Sequence, residues 1–139
     1  METQCRGRSW RDAIMFIYTN PNPSSKITGD CVIRAICIAE NISWRKCLLE
    51  LTAYSYFLHE VLDSNSLWFE YLIDFGYTYH TLPNTCPLCY TVKRFCHDHP
   101  FGTYIVCTGT HVVAVIDGDY YDTWDSGNEV VTYYFRKEN

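Results

Sequence analysis

Positive charge is scarce in this chain. Eleven Lys and Arg stand against 16 Asp and Glu, a formal net charge of −5, so no basic face is expected to meet a phosphate backbone and nucleic-acid binding is disfavoured. Long apolar runs are missing as well. No wholly apolar stretch exceeds six residues, whereas a membrane-crossing helix needs roughly 20. The opening segment, Met1-Glu-Thr-Gln-Cys-Arg-Gly-Arg-Ser-Trp10, has charges but no apolar core of the secretory kind. The expectation is a cytoplasmic protein without a membrane partner. Repeats and low-complexity segments are absent too.

What is present is a chain of 139 residues, 47% hydrophobic and 19% charged, enough for one compact domain with an ordinary core. Aromatic residues make up 17%. Large rings bury much area per residue, which helps a small domain stabilise itself, and most are expected in the core rather than lining a binding cleft. Residues 1–12 are polar and basic and read as a flexible arm; 13–139 read as the single folded domain.

Eight cysteines occur, at 5, 31, 37, 47, 86, 89, 96 and 107. Without a secretory signal they are expected to be reduced thiols, several of them small core residues. Cys86-Pro-Leu-Cys89 followed by Cys96-His-Asp-His99 invites a zinc reading. If 88–97 is helical, Cys89 and Cys96 stand about 10 Å apart along the axis, too far to share a tetrahedral ion. A helix beginning after Cys89 would leave Cys86, Cys89, Cys96 and His99 as a ligand set. Packing thiols are preferred, and no metal or cofactor is expected.

Along the chain, 13–18 reads as a strand and 19–29 as a loop carrying two prolines. Asp30 has the character of an N-cap before an almost wholly apolar helix over 31–39, interrupted only by Arg34. Ser43 caps a second helix running to about Tyr54. A third spans 67–74 and ends at Phe75-Gly76. A loop through Pro83 leads to a short helix around 90–95. After Pro100 the pattern is all strand: 103–108, 111–117, 120–125 and 129–135, read as an antiparallel meander with Asp117-Gly118 as a strong hairpin signal. The fold class is therefore α+β, helices first and sheet after.

Three residue types in one order point to chemistry. Cys31 is the first helical residue after a glycine-containing loop, where unpaired backbone N–H groups favour a thiolate and could hold an oxyanion. Asp30 would oppose this electrostatically unless turned into its capping role. His111 opens an otherwise apolar strand and titrates near neutral pH. The next hairpin brings an acid beside it. A three-residue turn, 117–119, pairs His111 with Asp125; a two-residue turn, 117–118, sets His111 opposite Trp124 and diagonal to Asp122. Asp125 is preferred, with Asp122 in reserve.

Gly29-Asp-Cys-Val-Ile-Arg-Ala-Ile36, His111-Val-Val-Ala-Val-Ile-Asp-Gly118 and Tyr121-Asp-Thr-Trp-Asp-Ser126 together resemble the papain-like cysteine peptidase superfamily. The likeness is strongest to small proteins of phages and prophages, and more distant to bacteriocin-leader-processing peptidases and Josephin-type deubiquitinases. It covers about residues 13–135, with the specific motifs in about a fifth of the chain. The resemblance implies a central helix bearing the nucleophile, packed on an antiparallel sheet bearing the base. Cys31 would be the nucleophile, His111 the general base and Asp125 the orienting acid, and a phage-encoded enzyme would act in the host cytoplasm.

One feature departs from the family. Its members usually place a Gln five or six residues before the nucleophile to donate to the oxyanion; here Ser25 and Lys26 stand there. Asn20 or Asn22, in the preceding loop, are the candidate substitutes. The expected activity is thiol-dependent hydrolysis of a peptide or isopeptide bond in a peptide or protein substrate. A catalytically weak binding protein aimed at a host target is the alternative, as is an acyl or amine transferase with the same triad.

Overall fold

The computed structural model describes residues 14–82 and 89–138. The expected arm over 1–12 and the position of Cys86 lie outside the described residues. Along the chain run β1 (Phe16–Tyr18), α1 (Cys31–Glu40), α2 (Trp44–Leu58), α3 (Asn65–Asp74), β2 (Tyr77–Thr81), α4 (Val92–Asp98), β3 (Thr103–Cys107), β4 (Val112–Ile116), β5 (Asp119–Asp122) and β6 (Tyr133–Lys137). The fold is α+β. Among the described residues no helix is long and apolar enough to cross a membrane.

The strands form one six-stranded sheet in the order β1-β5-β4-β3-β6-β2. This corrects the all-antiparallel meander. Strand β1 joins β5 in parallel, and β6 pairs antiparallel with β3 instead of following β5. The expected loop before Pro83 contains β2, an edge strand antiparallel to β6. Tyr77-Thr-Tyr-His-Thr81 favours extended structure. Only its Tyr77 is buried, so the apolar alternation that announces a strand is weak there.

Alternation along the central strands gives the sheet two buried faces. Ile105, Cys107, Val112 and Ala114 face one way, into a core with Ile36, Leu51, Trp68, Leu72 and Phe135 supplied by α1–α3 and β6. Tyr104, Val106, Val113 and Val115 face the other way, against Phe95 and Cys96 of α4. Helices thus cover both sides. Trp68 and Phe135 are almost wholly buried, and truncating either to Ala would cost about 3–5 kcal/mol. Buried tyrosine hydroxyls find carboxylates: Tyr71 donates to Glu50 and Tyr77 to Glu40, as an O–H removed from water must.

Local signals place α1 and its neighbours. Helix α2 is capped by Ser43 Oγ, which accepts from the Lys46 amide at 3.0 Å. The chain leaves α3 through Gly76 at φ 89°, a left-handed turn that glycine adopts without strain, and enters β2 directly.

Candidate active site

Helix α1 begins at Cys31 and packs across β4, β3 and β5. Asp30 precedes it but does not cap it: no side-chain cap hydrogen bond forms. Its carboxylate is instead turned to the Arg34 guanidinium and to Trp44 Nε1, 2.9 Å away. That corrects the expected capping role, and the reason is electrostatic. A buried arginine one turn along the helix outcompetes backbone amides for the acid. The Asp30 carboxylate is thereby neutralised by Arg34, and no side chain caps the start of α1.

His111 sits at the end of the β3–β4 turn, its carbonyl accepting from the Thr108 amide at 2.8 Å. It is 9% exposed. Strands β4 and β5 pair Ala114 with Tyr121, Val115 with Tyr120 and Ile116 with Asp119, so the hairpin has the two-residue turn. Asp117 and Gly118 both take positive φ, 50° and 82°, as the favoured tight hairpin turn requires. This register sets His111 against Trp124, ring centroids 4.8 Å apart, and carries the acid of β5 to the imidazole.

That acid is Asp122, and here the preference for Asp125 is corrected. His111 Nε2 lies 2.6 Å from Asp122 Oδ2. Asp125 points elsewhere, accepting from the Tyr120 hydroxyl and the Gly127 amide. Tyr120 and Asp122 share the buried face of β5, two residues apart as strand alternation dictates.

The Asp122 carboxylate is fully engaged. Oδ2 also accepts from Ser126 Oγ at 2.7 Å, while Oδ1 accepts from the Thr123 amide at 2.8 Å and from Arg34 Nη2 at 3.2 Å. Burial alone would push its carboxyl pKa up. The bonds from His111 and Ser126, the His111 charge and the Thr123 amide overcome that and hold it below the usual aspartate value.

With Nε2 engaged by Asp122, Nδ1 is the ring nitrogen that remains for the thiol. The Cys31 sulfur lies near enough to His111 and to the Val112 amide for both to favour its thiolate. Burial tends to keep the thiol protonated; the His111 bond and charge, the Val112 amide and the Arg34 charge outweigh it and lower the Cys31 pKa. Burial likewise tends to deprotonate His111, but the bonds from Asp122 and Cys31 raise its pKa to about 9. Both shifts favour the ion pair, a thiolate facing an imidazolium, with an ionised carboxylate behind the ring.

The structure therefore brings Cys31, His111 and Asp122 together and leaves Asp125 out. Asn20 and Asn22 build the loop before α1. Asn20 donates to the Lys26 carbonyl at 3.1 Å, and Asn22 Oδ1 accepts from the Ser24 and Lys26 amides. Arg34 and Ser126 were given no role from the sequence, whereas Trp124 stands opposite His111 as the two-residue turn required. Arg34 did carry a signal, as the one charge in an apolar helix. Among the described residues no three or more His, Cys, Asp or Glu cluster as metal ligands. His99 of the zinc set packs instead on Phe95, rings 3.9 Å apart. Of the six described cysteines, Cys37, Cys47, Cys96 and Cys107 are buried and Cys89 is exposed.

A cleft of about 290 Å³ opens beside Cys31, lined by residues of the α1 start, α2, the α2–α3 turn and α3. A thiol with a lowered pKa, an imidazole with a raised one and a helix start with no side-chain cap can together attack an acyl carbon, hold the resulting oxyanion and protonate a leaving group. Comparison with known proteins finds no matching family model, no matching curated protein and no matching solved structure.

Proposed function

We propose that this protein is a papain-like thiol hydrolase, of the small phage-borne kind, that cleaves a peptide or isopeptide bond. The observation carrying this reading is the juxtaposition of the three groups: His111 Nε2 lies 2.6 Å from Asp122 Oδ2, and the Cys31 thiol at the start of α1 is near enough to the same imidazole for its pKa to be lowered by it. Buried packing cysteines do not need an imidazolium partner, and a structural histidine does not need a thiol.

The Cys31 thiolate attacks the substrate carbonyl carbon, forming the C–S bond and moving the carbonyl π electrons onto oxygen. The Cys31 amide and those of the following turn, at the positive end of α1, stabilise that oxyanion. As the carbonyl re-forms, the C–N bond breaks and His111 Nδ1 gives its proton to the departing amine. Water then attacks the thioester while His111 takes a proton from it, and collapse releases the carboxylic acid and restores the thiolate–imidazolium pair. Asp122 remains ionised throughout, holding the ring by its Nε2 hydrogen. The oxyanion donors are backbone amides in this reading, which is how the chain manages without an upstream Gln.

Iodoacetamide at pH 7, followed by peptide mass mapping, tests the proposal. Cys31 should react faster than every other thiol, including Cys89, which is more exposed. Equal reaction at Cys31 and Cys89 would overturn it.

A further inference from the structure

Two further cysteines meet where α1 gives way to α2. Only residues 41–43 separate the helices. Cys37 opens the last turn of α1 and Cys47 closes the first turn of α2, so the short connection keeps them close. Hydrogen bonds tie both to it: the Ile42 amide donates to the Cys37 carbonyl at 3.1 Å, and the Cys47 amide to the Ser43 carbonyl at 3.0 Å. The Cys47 side chain then crosses to α1. Its Sγ donates to the Ile33 carbonyl at 3.9 Å, the oxygen that also accepts from the Cys37 amide one helical turn on. The sulfur of α2 therefore reaches α1 at the turn that carries Cys37.

Both thiols belong to one core, Cys37 at 2% exposure and Cys47 at 0%. A buried thiol among apolar groups is ordinarily inert. Cys107 is such a case: equally buried, its thiol is pushed up by that burial. The pair behaves differently. Cys47 holds the Cys37 thiol below its ordinary value, while Cys37 holds that of Cys47 above it, the pattern of one sulfur offering its hydrogen to the other. Cys37 is thus the readier nucleophile and Cys47 the waiting partner.

We propose that Cys37 and Cys47 are a disulfide-forming pair, oxidised by a small neutral peroxide, that ties the helix bearing Cys31 to α2. The Cys37 thiolate attacks one peroxide oxygen and the O–O bond breaks; with hydrogen peroxide, the hydroxide released takes a proton and leaves as water. Cys47 then gives up its proton and its sulfur attacks the Cys37 sulfenic sulfur. The S–O bond breaks as the S–S bond forms, and a second water leaves. Two sulfurs are oxidised and two peroxide oxygens reduced. A small uncharged oxidant suits a pair this deeply buried. The inference does not depend on the hydrolase reading, because neither sulfur takes part in the chemistry assigned to Cys31.

The test uses the full chain, reduced and then treated in its native state with iodoacetamide to consume accessible thiols. It is exposed to hydrogen peroxide, unfolded in N-ethylmaleimide and mapped by mass without reduction. Cys37 should be joined to Cys47 and to no other cysteine. Both should be lost from N-ethylmaleimide labelling about tenfold faster than Cys107, which controls for burial. Loss at the same rate as Cys107, a link from Cys37 to a different cysteine, or no link at all would overturn the inference.

Discussion

Arg34 Nη2 lies 3.2 Å from Asp122 Oδ1, joining the helix that carries the thiol to the strand that carries the acid. The same guanidinium is paired with Asp30 and is 5% exposed. A single buried cation thus holds two buried carboxylates. Removing it takes the guanidinium from both, leaving Asp30 with Trp44 and Asp122 with His111, Ser126 and Thr123, and Arg34→Met should destabilise folding by about 3 kcal/mol in urea unfolding. Arg34→Lys keeps the charge but one ammonium cannot fork to both acids as the guanidinium does, so it should fall between wild type and Met. Arg34→Met should also raise the pH at which Cys31 becomes alkylatable, because the guanidinium charge helps lower the thiol's pKa. A Lys variant as stable as wild type, or a Met variant with an unshifted alkylation profile, would contradict this role.

The two aspartates separate cleanly. Asp122→Asn should cut amide hydrolysis on the order of 100-fold or more, because the amide no longer secures the imidazolium orientation. Asp125→Asn should leave hydrolysis within about twofold, its carboxylate being bonded to Tyr120 and Gly127 instead, and cost at most about 1 kcal/mol of stability. Steady-state rates on any cleaved peptide decide the matter, and a larger loss at Asp125 than at Asp122 would contradict the assignment of Asp122 as the orienting acid.

Opposite titrations within the pair give a pH signature in stability. The folded His111 pKa, about 9, is above the ordinary 6.5, so its contribution is full below pH 6.5 and fades as pH rises to about 9. The folded Cys31 pKa is below the ordinary 9.0. Its contribution is therefore full above that value and fades as pH falls through the lowered one. Over the window from 6.5 to about 9 the two trends oppose each other. Urea midpoints of the wild type should vary less across that window than those of Cys31→Ala, where only the falling His111 contribution, sustained by Asp122, remains. Parallel curves for the two proteins would argue against a thiolate–imidazolium pair.

The loop behind the acid is tightly packed. A Cβ at Gly127 would run into the Tyr120 hydroxyl and the Lys93 side chain, and the Gly127 carbonyl accepts from the Lys93 amide at 3.0 Å. Gly127→Ala should cost about 1–3 kcal/mol by overpacking. Ser126, next to it, bonds Asp122, so the variant should also lower the rate of Cys31 alkylation at pH 7. A neutral effect on both would show that the loop has room to give.

Much of this was legible from residues alone. Apolar periodicity and breakers located α1, α2, α3 and the central strands, since those signals come from which positions must leave water. The Asp117-Gly118 dipeptide carried its own turn chemistry, and its two-residue form alone would have chosen Asp122. Cys31 and His111 stood out because each is a reactive group at the edge of an apolar element. Edge strand β2 was missed because one buried residue, Tyr77, makes almost no pattern. The parallel docking of β1 and the placement of β6 beside β3 are choices among strand edges, which depend on the whole sheet and leave no mark in a local window.

Sequence by itself determined the helix start that presents a thiol, the hairpin that could carry an acid, and the acidic, aromatic-rich character of the whole. Tertiary structure alone decided where Asp30 points and which aspartate meets the imidazole. It also decided that Arg34 ties α1 to β5. Those outcomes turn on competition among buried charges: a carboxylate taken out of water goes to whichever cation or donor the packed chain brings within 3 Å or so, and the partners lie 88 residues apart for Arg34 and Asp122.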